Sequence, residues 1–124
     1  MTQENSKISS FRDLKIWQNG LTIAQETYSL TQKLPKEELF GLVSQMRRAS
    51  VSVPSNIAEG RSRSSRKDFS QFLRIALGSL AELETQLLLT KNLYEHINID
   101  NVMQMVHEEQ RMISGMIKSL KPNT

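Results

Sequence analysis

Six basic side chains in the middle of the chain are of the type that suits one defined chemistry, the binding of phosphate groups. They are Arg47, Arg61, Arg63, Arg66, Lys67 and Arg74. Residues 41–75 carry a net charge of +5, whereas the whole chain carries only +3. Because arginine presents a planar, weakly hydrated fork of donors that matches a phosphate, this segment predicts a surface that contacts RNA or DNA. The alternative is a solvated basic surface that binds nothing.

The residues that most catalytic sites need are missing or badly spaced. The chain has no cysteine, which excludes a thiol nucleophile and a cysteine-ligated metal site. Neither His96 nor His107 follows a glutamate at the spacing of a di-metal bundle site, and neither has a recognisable partner. Glu82 and Glu84 diverge on a helix because they are two residues apart. We therefore expect a protein that is not an enzyme and holds no metal or cofactor; a metal-dependent enzyme is the disfavoured alternative.

A polar face on the second predicted helix indicates contact with another surface. It consists of Gln45, Arg48, Ser52, Asn56 and Glu59, which recur at helical spacing opposite the apolar positions. Amide, hydroxyl and guanidinium groups suit specific hydrogen bonds better than the lysines and glutamates of an ordinary solvated face. These residues are predicted to lie in an interface between subunits, although Arg48 can instead pair with a carboxylate such as Glu59 or Glu82.

The third predicted helix carries a matching face, formed by Ile75, Gly78, Glu82 and Leu89. Exposed apolar side chains on either side of a glycine indicate close approach by another helix. Together the two faces predict a homo-oligomer.

Four segments repeat apolar residues at alternating steps of three and four, which is typical of helices that bury one side. We predict helices at 11–34, 36–60, 66–96 and 99–120, within one bundle over 11–121 that follows a flexible segment at 1–10. The short loops and the sustained 3.5-residue step predict an antiparallel, up-down-up-down, left-handed four-helix bundle. The expected core positions of the four helices, in chain order, are Leu14, Trp17, Leu21, Ala24, Tyr28 and Thr31; Leu39, Val43, Met46, Ser50, Val53 and Ile57; Phe69, Leu73, Ala76, Leu80, Leu83, Leu87, Thr90 and Tyr94; and Ile99, Met103, Val106, Gln110, Ile113, Ile117 and Leu120.

Three positions predict local features of these helices. Pro54 lies inside the second apolar stripe and removes one backbone donor, so we expect a kink there, with a break at Val53 as the alternative. Gly60 fits the residue just after a helix, where a positive φ is needed. Ser65 and Asp68 form a capping box that begins the third helix.

Four stretches of the chain resemble one known family. They are FRDLKIWQ at 11–18, LPKEE at 34–38, QMRRASVSVPSNIAEG at 45–60 and GSLAELETQ at 78–86. In these stretches the chain is similar to the bacterial proteins encoded by intervening sequences within 23S ribosomal RNA genes. The resemblance covers roughly residues 11–120, and the SNIAEG part of the third stretch is the most specific.

The resemblance implies a left-handed four-helix bundle that assembles as a homopentamer. Because Met1 to Ser9 lack the apolar stretch of a secretory signal, we expect a cytoplasmic protein. A more distant similarity, to the accessory protein of diversity-generating retroelements, implies a basic pentameric barrel that binds nucleic acid and a protein partner. The expected function is therefore a non-enzymatic oligomer that binds structured RNA or DNA. The alternative is an oligomeric scaffold or adaptor that binds a protein and no nucleic acid. No stretch is apolar enough to span a membrane, so we expect no membrane partner.

Overall fold

Four α-helices form most of the structure, a computed structural model that describes residues 10–122. We number them α1 to α4: Lys15–Thr31, Ser44–Ser62, Arg66–Leu93 and Asp100–Ser119. Short 3-10 turns at Phe11–Asp13 and Lys36–Glu38 and a π turn at Leu39–Val43 precede α1 and α2. The predicted flexible segment 1–10 lies, apart from Ser10, outside the described residues.

The helices pack into a bundle around one apolar core. Helix α2 packs against α1 and α3, and α4 packs against α3 and α1. Within residues 10–122 the chain forms helices and no strand. The predicted all-α four-helix fold is confirmed, while the up-down order and the handedness of the bundle stay predictions.

Helix α3 buries the stripe that its sequence predicts. Its buried residues include Phe69, Leu73, Ala76, Leu80 and Leu87, spaced by three, four or seven positions. The Ser65 hydroxyl accepts a hydrogen bond of 3.0 Å from the Asp68 backbone N–H, so the predicted cap at the start of α3 is confirmed.

Helix α1 buries mainly the stripe one position before the predicted one, although the predicted Ala24 and Thr31 are buried as well. Leu21 and Tyr28 are 39% and 41% exposed, and Ile16, Ile23 and Leu30 lie in the core instead. The predicted residues Leu21 and Tyr28 and the buried residues Ile16, Ile23 and Leu30 are both spaced by seven positions. The buried stripe also contains Gly20 and Thr27, so it is less apolar in the sequence. The Thr27 hydroxyl is satisfied inside the core by the Ile23 carbonyl oxygen at 2.7 Å.

Helix α4 places a carboxyl group in the core. Its buried residues are Val102, Val106, Glu109, Ile113 and Ile117, so Glu109 occupies a position that we had assigned to Gln110. Gln110 is only partly buried and bonds instead to Glu84 on α3.

The backbone near the start of α2 is irregular at Gly41. This residue has φ −107° and ψ −110° inside the π turn. Pro54 is buried within a helix that runs without interruption to Ser62, so the alternative of a break at Val53 is wrong. A bend at Pro54 stays a prediction.

Gly60 is a contact residue within α2, and its predicted place after the helix end is wrong. The helix continues to Ser62, and no described glycine has a positive φ. A Cβ atom at Gly60 would lie 2.6 Å from the Phe72 Cβ and 3.1 Å from the Phe69 Cδ1. The glycine is therefore required because α3 approaches α2 closely at this point.

We expect Gly60→Ala to lower the free energy of unfolding by about 1–2 kcal/mol, because overpacking against the Phe72 Cβ outweighs the gain in helix propensity. Gly115→Ala is the matched control, since a Cβ there meets nothing within 4 Å. The control should gain up to about 1 kcal/mol. Urea denaturation measures both, and equal effects of the two substitutions would contradict the close contact.

Candidate nucleic-acid interface

The end of α2 and the start of α3 position five of the six predicted phosphate-binding residues. Arg61 lies in the last turn of α2, Arg63 follows it, and Arg66, Lys67 and Arg74 lie in the first turns of α3. The loop between the helices spans only residues 63–65, so these cations are close in the chain and in space.

Arg47 lies at the other end of α2 and is engaged there. Fourteen residues of helix separate it from Arg61, about 20 Å along the axis. Its guanidinium carbon lies 4.4 Å from the centre of the Tyr28 ring, and its Nε donates to the Thr31 hydroxyl at 3.0 Å. The structure therefore does not bring Arg47 together with the other five residues.

Two of the remaining arginines are also engaged within the chain. Arg63 makes an ion pair of 2.9 Å with Glu59, and its guanidinium lies 4.9 Å from the centre of the Phe72 ring. Arg61 has an intramolecular contact as well. Their charge still adds to the local positive potential, but their donors are partly used.

Arg66, Lys67 and Arg74 line a groove of 430 Å³ together with Lys121 from the end of the described chain. None of these four side chains makes an ion pair or hydrogen bond with a described residue, and no acidic residue lines the groove. Leu120 and Pro122 form an apolar part of its wall. Lys121 was missed because the charge of residues 76–124 is negative overall, which hid one lysine just after α4.

The predicted interface faces are accessible in the single chain. Ile75 and Leu89 are exposed on α3, and the predicted polar residues of α2 are exposed or partly buried. Gln45, Arg48, Ser52 and Glu82 line one cleft of 350 Å³ between α2 and α3, with Ala49 and Gln86. A Cβ at Gly78 meets nothing within 4 Å, so this glycine leaves an open surface on α3.

Hydrogen bonds hold one of the lining residues of this cleft, Ser52. The Ser79 hydroxyl lies 2.8 Å from the Ser52 hydroxyl, and the Asn56 amide donates to Ser52 at 2.8 Å. Arg48 pairs with neither of its predicted carboxylate partners: Glu59 binds Arg63, and Glu82 lines the cleft without an ion pair to Arg48. The Gln86 Oε1 is buried without a hydrogen bond. The cleft thus holds unused donors and acceptors.

An apolar surface near the start of α2 was missed by the sequence analysis. Phe40 is 91% exposed, and Leu39, which we had assigned to the core, is exposed beside it. Glu38 anchors this turn because it accepts hydrogen bonds from the Tyr94 hydroxyl at 2.6 Å and from the Leu42 N–H at 3.2 Å. These bonds lower the pKa of Glu38 and raise that of Tyr94. The sequence signal that could have indicated this surface is the pair Leu39 and Phe40, which directly follows Glu37 and Glu38.

One histidine has a carboxylate partner, contrary to the prediction. His107 Nε2 lies 3.3 Å from the Glu84 Oε2, and the Gln110 amide donates to the other oxygen at 3.0 Å. Hydrogen bonds from Gln110 and then His107 lower the pKa of Glu84. His96 is exposed in the turn after α3. Within residues 10–122 no three histidines or acids come together as a metal site would require, and no helix there has the length and hydropathy to cross a bilayer.

Comparisons with known proteins agree with this architecture. A crystal structure of a protein of unknown function from the S23 ribosomal protein family of Bacteroides thetaiotaomicron superposes with a TM-score of 0.74. It shares 23% sequence identity over 83% of this chain and 98% of its own, which supports the fold alone. No curated protein matches this chain. The model of the 23S rRNA-intervening sequence protein family matches residues 12–117. Because this match covers most of the chain and agrees with the four stretches quoted above, this protein belongs to the 23S rRNA-intervening sequence protein family.

Proposed function

We propose that this chain is a non-enzymatic, self-associating bundle that binds structured RNA or DNA. The observation that carries the proposal is the groove at the start of α3, where Arg66, Lys67, Arg74 and Lys121 make no ion pair or hydrogen bond with another described residue. Cations that the fold does not use are available for phosphates. Such contacts hold the backbone of a nucleic acid without reading its sequence.

Self-association would strengthen this field, because each added copy brings another groove and another basic segment of net charge +5. The support for self-association is the exposed apolar residues Ile75 and Leu89 on α3 beside a cleft with unused hydrogen-bonding groups. Five copies is the number that the family resemblance implies.

We expect Gly78→Leu to dissociate the oligomer while the bundle stays folded. No described residue lies within 4 Å of a Cβ at this position, so we expect a larger side chain to disturb only a neighbouring copy. Gly115→Leu, on the open face of α4, is the matched control and should keep the native mass. Light scattering gives the mass and circular dichroism the helicity. An unchanged mass for Gly78→Leu would place the interface on another face.

The nucleic-acid proposal is tested by titrating a labelled RNA stem-loop with protein at several salt concentrations. We expect binding that weakens steeply as salt rises, because phosphate contacts release counterions. Absence of binding at low salt would overturn the proposal.

A protein adaptor is the second candidate function, and one observation favours it. Tyr28, Leu39, Phe40, Val43 and Val51 line an open surface pocket of 590 Å³ that could receive apolar side chains of a partner. Binding there would tolerate moderate salt, since its centre is apolar. A Phe40→Ala variant that still binds the stem-loop RNA normally would separate this surface from the groove.

A further inference from the structure

The groove at the start of α3 has two different walls, which distinguishes it from a purely basic surface. One wall consists of Arg66, Lys67 and Arg74, near the N-terminal end of α3. The other consists of Leu120 and Pro122, just after α4, with Lys121 between them in the chain. Leu120 also packs against the bundle core, so its part of the wall is held in place, whereas Pro122 is exposed.

A duplex makes little use of such an apolar wall. Its bases are stacked inside the helix, and it presents phosphates and sugars to a protein groove. An unpaired nucleotide, in contrast, exposes both faces of its base, which can lie on apolar side chains and on the planes of guanidinium groups.

The size and polar groups of the groove also fit one nucleotide. Its volume of 430 Å³ lies within the range of about 300–1,000 Å³ that holds small ligands. Ser70 and Gln71 line it between the cations and supply neutral donors and acceptors for a base edge. The groove thus offers cations for a phosphate and an apolar wall for a base.

We infer that this groove takes an unpaired nucleotide of an RNA strand, with its phosphate among Arg66, Lys67, Arg74 and Lys121 and its base against Leu120 and Pro122. The assignment depends on the proposed function, because it specifies which part of a nucleic acid the groove holds. It predicts a preference for loops and strand ends over continuous duplex.

The test compares a labelled RNA stem-loop with a blunt RNA duplex that has the same number of phosphates. At low salt the wild type should bind the stem-loop about fivefold more tightly, the lower end of the effect of one base-stacking contact. Leu120→Ala and, separately, Pro122→Ala should each reduce this preference while leaving the salt dependence unchanged, because the cations remain. Pro122 is exposed beyond α4, so its replacement leaves the fold intact. Leu21→Ala, an exposed leucine on α1, is the control.

Equal affinity for the stem-loop and the duplex in the wild type would overturn the assignment while leaving the proposed function intact. A preference that survives both wall variants would likewise overturn it. Failure of the proposed function gives a different result, in which neither RNA binds at low salt. Tighter binding of an acidic amphipathic peptide than of the stem-loop, lost in both wall variants, would reassign the groove to a protein partner.

Discussion

The stability of the bundle should fall as the pH rises from about 4.5 to about 8, and Glu109→Gln should remove this fall. The Glu109 side chain is completely buried, and neither carboxyl oxygen has a hydrogen-bond partner among the described residues. Its Oε2 lies 3.3 Å from where a Cβ of Gly20 would be, beside Val53 and Pro54. Burial raises its pKa to about 8, and no charged group contributes to the shift.

The sign of the effect follows from which state holds the proton. Between the ordinary pKa of 4.5 and the folded value of about 8, the native chain binds a proton at Glu109 that the unfolded chain has released. The contribution of Glu109 to the free energy of unfolding is therefore greatest below pH 4.5. It decreases by on the order of 5 kcal/mol as the pH rises to about 8. Glu38 and Glu84 act in the opposite direction and at lower pH, because hydrogen bonds lower their pKa values.

Urea denaturation at several pH values measures this effect directly. Glu108→Gln is the control, because Glu108 is the exposed neighbour of Glu109 and should leave the pH dependence as it is. Glu109→Gln should give a nearly constant free energy of unfolding above pH 5. Identical pH profiles for the wild type and Glu109→Gln would show that Glu109 ionises normally in the folded chain.

The second large effect concerns the four cations of the groove. Changing Arg66, Lys67, Arg74 and Lys121 together to alanine should weaken RNA binding at low salt by at least about tenfold, alike for all sequences. Each lost phosphate contact also lowers the slope of log affinity against log salt by about 0.7–0.9. The slope should therefore fall by about 3 for each subunit that contacts the RNA.

Net charge alone could produce part of this loss, so the control removes the same charge elsewhere. Lys15, Lys33, Lys36 and Lys91 are exposed and lie outside the groove. Their joint replacement by alanine should change the salt slope little. Equal losses in the two quadruple variants would mean that the chain attracts nucleic acid by its overall charge, with no localised site.

The sequence predicted the fold well wherever one apolar stripe stands alone. Helix α3 has a single such stripe, with Leu73, Leu80 and Leu87 at heptad spacing, and all of them are buried. Helix α1 has two competing stripes, and periodicity cannot choose between them because the choice depends on what the neighbouring helices present. Here the buried stripe places Gly20 where a Cβ would lie 3.3 Å from the Glu109 Oε2 of α4, a contact that the α1 sequence alone does not reveal.

The candidate site was predicted only in part. The six predicted basic residues lie within one segment of the sequence, residues 47–74. In the structure, contacts within the chain engage some of them and leave others available. Glu59 engages Arg63, and Tyr28 together with Thr31 engages Arg47. The contribution of Lys121 arises because the end of α4 meets the start of α3, a long-range contact that no local pattern reveals. The bond between Glu38 and Tyr94, two residues before the exposed Phe40, is likewise a long-range contact that no local pattern reveals.

The most direct test of the central claim is light scattering coupled to size exclusion, run with and without a stem-loop RNA at low and high salt. We predict a species several times heavier than the 14.2 kDa chain, which gains mass with the RNA at low salt and loses it at high salt. A species of 14.2 kDa whose elution and mass ignore the RNA at low salt would contradict both self-association and nucleic-acid binding.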